Sequence, residues 1–161
     1  MVSLLELKQT MTHLIDAHQQ LLNLGLQKRT ILVEGKGSEL RDLIGKESKF
    51  VDLILIFEEQ REQKMKDFLG EKDFTQEFLT MDVFISRMTE LDVKQWFIEA
   101  TSQLQGIVQE LSQLNRNNQE LIQMNLSYIQ YSMNIIMPKD PSIGYGKKSA
   151  VRSAKLLDAK I

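Results

Sequence analysis

The chain contains no cysteine, so neither a disulfide framework nor a thiolate metal site can form within it. Its two prolines, Pro138 and Pro141, both lie near the C-terminal end, so only glycine interrupts helices before them. Aromatic residues make up 7% of the chain, which together with the few prolines and glycines favours helices over a sheet-based core. His13 and His18 are the two histidines; five residues apart, they point about 140° away from each other on a helix and cannot share a metal. The uncharged, largely apolar segment 121–137 is shorter than the roughly 20 apolar residues of a membrane span and includes Asn125 and Asn134, so membrane insertion is not expected. Nucleophile elbow, H-E-x-x-H and dinucleotide fingerprint are all missing. Gly35-Lys36-Gly37-Ser38 lacks the spacing and preceding strand of a phosphate loop and reads as a turn. No catalytic residue, metal or cofactor is predicted. The first twenty residues place Glu6 and Asp16 among leucines with no basic stretch, unlike a secretory signal, and a cytoplasmic protein is expected.

Charge is present in ordinary amount but unevenly placed. The 161 residues carry 20 Lys and Arg against 22 Asp and Glu, a net −2. Residues 138–161 alone hold Lys139, Lys147, Lys148, Arg152, Lys155 and Lys160 against Asp140 and Asp158. An acidic body followed by a basic tail predicts a tail that touches an acidic surface or its own body. With one aromatic and no arginine cluster, that tail is not expected to bind nucleic acid.

The hydrophobic pattern is helical. Leu4, Leu7, Met11, Leu14, His18 and Leu21 recur at 3–4 spacing, the seam of an amphipathic helix that runs to about Val33. Gly35 or Gly37 suits the left-handed position after it, and Ser38 is the predicted N-cap of the next helix. That second helix turns Leu40, Leu43, Ile44, Phe50, Val51, Ile54, Phe57, Met65 and Phe68 inward. Leu53-Ile54-Leu55-Ile56-Phe57 has strand propensity, but its charged flanks keep helical spacing. Residues 73–90 predict one or two short helices, and Asp92 is the predicted N-cap of a last long helix that ends before Pro138. The expected fold is all-α: an elongated antiparallel bundle of three long helices with short helices between the second and third. Residues 1–137 form the helical domain and 138–161 a flexible basic tail.

Residues 121–137, LIQMNLSYIQYSMNIIM, carry the strongest functional signal. Eleven of these seventeen are apolar or aromatic, and none is charged. Wound as a helix they exceed one core-facing stripe of about 100°, so the helix must be buried on several sides or kept for a partner. Upstream, the seam Leu111, Leu114, Asn118, Leu121, Asn125, Tyr128 contains two asparagines. Two readings fit them: a polar stripe at a bundle end, or Asn115 and Asn118 bonding a partner helix.

Several segments together resemble the FlgN family of flagellar export chaperones. They are Lys28-Arg29 and Ile31-Leu32 before Gly35, then Leu40, Leu43 and Glu47, then Leu114-Asn115-Arg116-Asn117-Asn118-Gln119-Glu120-Leu121 leading to Tyr128-Ile129, and Gly144-Tyr145-Gly146 in the tail. The resemblance spans essentially the whole chain. It implies a cytosolic all-helical chaperone that binds the two hook-filament junction (hook-associated) proteins, prevents their premature assembly and delivers them to the type III export gate. It also implies client binding by the C-terminal helix, at Leu111, Leu114, Asn115, Asn118, Leu121, Ile122, Asn125, Tyr128, Ile129, Met133 and Ile136. Docking at the export gate falls to Tyr145 and Gly146; the basic stretch after Tyr145 departs from the family pattern. The residues themselves fit such a role, since an apolar helix can substitute for a client's missing helical partner, and methionines adapt to varied shapes. The rival expectations are a chaperone for flagellin or the filament cap, and a structural coiled-coil homodimer.

Overall fold

The computed structural model describes residues 4–70 and 79–137. Every element among them is a helix: α1 (Leu4–Glu34), α2 (Gly37–Leu69), α3 (Met81–Ser86) and α4 (Leu91–Ile136). The chain divides into two compact units, Met1–Ile122 and Gln123–Ile161. The predicted tail, 138–161, lies outside the described residues.

In the first unit α1 and α2 form a hairpin. Gly35 takes the left-handed conformation, φ 71°, and the Lys36 amide reaches back to the Ile31 carbonyl at 3.2 Å, the closing bond of a Schellman turn. α2 then begins at Gly37 with Lys36 at the N-cap and no side-chain capping bond. The predicted cap Ser38 is therefore already inside the helix. The turn is so short that Lys36 and Gly37 complete it before a capping side chain is needed. Asp92 is likewise inside α4, whose first turn is closed by the Lys94 amide on the Glu90 carbonyl at 2.9 Å. Thr80 does cap α3, accepting from the Val83 amide at 3.3 Å.

α4 runs alongside α1 in the same direction. Leu7, Met11 and Leu14 of α1 share a core with Phe97 and Ala100 of α4, Met65 of α2, and Leu79, Phe84, Ile85 and Met88 of the α3 region. Further along α1, Leu22 packs with Ile107, Leu111 and Leu114. An up-down-up arrangement of α1, α2 and α4 follows, with α3 closing one end of the first core.

The inward face of α2 is narrower than its sequence predicts. Leu43 and Met65 are buried, while Leu40, Phe50, Ile54 and Phe57 are half-buried. Ile44, Val51 and Phe68, also expected inward, are exposed. The cause is geometric: at about 100° per residue, the consecutive apolar run around Leu53–Phe57 points all round the helix, and one core covers only part of it.

Candidate functional site

The predicted site residues on α4 separate by burial. In the first unit Leu111, Leu114 and Asn118 are core residues, all turned towards α1. Leu114 lies against Gly25, where an added Cβ would meet its Cδ2 at 2.8 Å. Asn118 donates from Nδ2 to the Gly25 carbonyl oxygen at 2.9 Å. These three side chains are occupied inside the chain. Asn115 faces solvent, and Leu121 and Ile122 are half-buried.

The described part of the second unit is the remaining helix from Gln123, ending in Met137. Met124, Tyr128, Ile129, Tyr131, Met133, Ile135, Ile136 and Met137 are all more than half exposed, from 53% at Ile129 to 77% at Ile136. Asn125 is exposed as well. Burying one such apolar side chain completely is worth roughly 1.5–3 kcal/mol. Covering several of them is therefore comparable to, or larger than, the roughly 2–5 kcal/mol needed to order a disordered client segment. No charge interrupts the surface, so a partner need not desolvate or pair an ion to lie on it.

Among the described residues no group of three or more His, Cys, Asp or Glu is placed to hold a metal. Among them, too, no helix is long and apolar enough to cross a membrane. His13 stacks on Phe57 with ring centroids 5.1 Å apart, and His18 Nδ1 lies 2.7 Å from the Leu14 carbonyl oxygen, each engaged locally. The predicted docking residues Tyr145 and Gly146 lie outside the described residues.

Two features escaped the sequence reading. Gly25 sits in mid-helix, where glycine is ordinarily a weakness, and its role as the slot for Leu114 needs the packed structure to be seen. Lys28 and Glu47 form an ion pair at 3.2 Å between α1 and α2 with side chains only 10% and 16% exposed. The sequence signal for both was present, a lone glycine in α1 and a lysine on its apolar side, but neither identifies its partner.

Comparison with known proteins adds the family. A family model described as FlgN protein matches residues 1–153. The chain is also similar to a Bacillus subtilis (strain 168) protein named "Uncharacterized protein YvyG", 27% identical over 150 residues and covering 89% of each chain. No solved structure matches.

Proposed function

Because the chain belongs to the FlgN family of flagellar export chaperones, we propose that it holds the hook-filament junction proteins on the outward residues of α4 and delivers them to the type III export gate. The observation that carries this reading is the uncharged helical surface from Met124 to Met137, where eight apolar or aromatic side chains wrap most of the helix and are more than half exposed. Terminal segments of such clients stay disordered until they pair as helices. An apolar helix offered in advance stands in for the absent partner and blocks premature assembly. The client-contacting set is Asn115, Leu121, Ile122, Asn125, Tyr128, Ile129, Met133 and Ile136; Leu111, Leu114 and Asn118 are spent in the core and support it. Met124, Tyr131, Ile135 and Met137, equally exposed, extend the set. Tyr145 and Gly146 dock the loaded chaperone at the gate, separately from client binding. The work is done in the cytoplasm by binding and release, without catalysis.

Calorimetric titration against the two junction proteins and flagellin from the same source tests this reading. Saturable binding to the junction proteins alone supports it. Binding only to flagellin moves the client class, and no binding together with a stable dimer by light scattering replaces the chaperone by a structural coiled coil.

A further inference from the structure

Asn118 is an expensive residue to bury, and its return in stability is small. Its side chain is 2% exposed; Nδ2 donates to the Gly25 carbonyl oxygen at 2.9 Å, while Oδ1 is buried with no hydrogen-bond partner. The Gly25 carbonyl belongs to a helix and has the amide four residues on as its ordinary partner, so it does not need the side chain. A leucine at 118 would leave no orphaned acceptor. Buried polar groups with this profile are best attested as devices that select one arrangement among several.

What Asn118 selects is visible on α1. Leu114 and Asn118, one turn apart on α4, grip the same residue. A Leu114 methyl fills the space that a Cβ on residue 25 would take, at 2.8 Å, and the Asn118 amide meets the carbonyl of that residue. Gly25 is the one glycine of α1, so no other position on that helix offers the same slot. On α4 the inward positions Leu104, Ile107, Leu111, Leu114 and Leu121 are all aliphatic at 3–4 spacing. Along this stretch, beyond the core that holds Phe97, aliphatic packing alone distinguishes poorly between one register and another shifted by a turn or a heptad. One heptad further along α1 stands Leu32, buried and carrying a full side chain where Gly25 leaves room for Leu114. Leu114 set against it would meet that side chain instead of an open slot.

We propose that Asn118 is a positioning residue that, paired with Gly25, locks the register of α4 on α1. It thereby fixes how far along α1 each residue of Leu91–Ile122 comes to lie. Its contribution is to uniqueness of the packing rather than to stability.

The absence of cysteine makes the test direct. Spin labels are attached at Gln9→Cys on α1 and Ser112→Cys on α4, both exposed positions of the first unit. The parent should give one narrow distance. Asn118→Leu should melt at the same temperature or higher, yet show a second distance population, displaced along the helix by about 5.4 Å per turn of slip. Gly25→Ala, which favours helix but fills the slot, should produce the same second population. It decides the matter if Asn118→Leu fails to fold. A single unchanged distance in the folded variants would overturn the lock, whatever their melting temperature.

Discussion

Phe84, on the six-residue helix α3, meets Phe97 of α4 edge to face, with ring centroids 5.4 Å apart and planes at 81°. Both side chains are completely buried. A helix as short as α3 has no stability of its own, so its place depends on such contacts. Phe97→Ala should cost about 3–5 kcal/mol in urea unfolding, with the slope of the transition unchanged. In a double-mutant cycle with Phe84→Ala, the pair should show a coupling of about 0.5–1.5 kcal/mol. Additive losses would mean that the two rings act independently.

The Lys28–Glu47 pair joins the two arms of the hairpin at 3.2 Å with little solvent access. Removing one partner leaves the other charge largely buried, so Lys28→Met should destabilise by about 3 kcal/mol. Lys28→Met with Glu47→Leu should recover most of that loss, because two apolar side chains need no compensation. Thermal melts of the two single variants and the double variant provide the check.

For the tail the expectation is a division of labour. Tyr145→Ala should leave client affinity within twofold, about 0.4 kcal/mol, while reducing export and binding to the gate. Parallel client titration and secretion assays measure both. Client affinity falling together with export would remove the separate docking role.

Much of the fold was legible because long helices repeat their instructions. The 3–4 spacing of Leu7, Met11 and Leu14, and of Ile107, Leu111 and Leu114, is written over many turns and reappears as core. Ser38 and Asp92 misled as caps because a helix start depends on the local turn, and each lies only one or two residues inside the observed boundary. Val51 and Ile44 misled because a helix's apolar residues reveal its inward face only to the extent that a neighbour covers it. On α4 the same seam continues unbroken through Leu114, Asn118, Leu121, Asn125 and Tyr128. Spacing therefore did not separate Asn118, which is buried, from Tyr128, which is exposed. Loss of charge after Glu120 was the better guide to the exposed surface. Gly25 carried a signal too, but one that acquires meaning only with Leu114 beside it.

The central claim is that the exposed, uncharged surface of α4 exists for the client. Ile129 tests it most directly, since it is 53% exposed and has little to lose within the free protein. Calorimetric titration of Ile129→Asp with a junction protein, alongside its circular dichroism melt, separates binding from folding. Stability should stay within about 0.5 kcal/mol of the parent. Affinity should fall by about 30-fold or more, corresponding to the roughly 2 kcal/mol of a binding hot spot. Full client affinity in this variant, or loss of the helical signal before any client is added, would contradict the account.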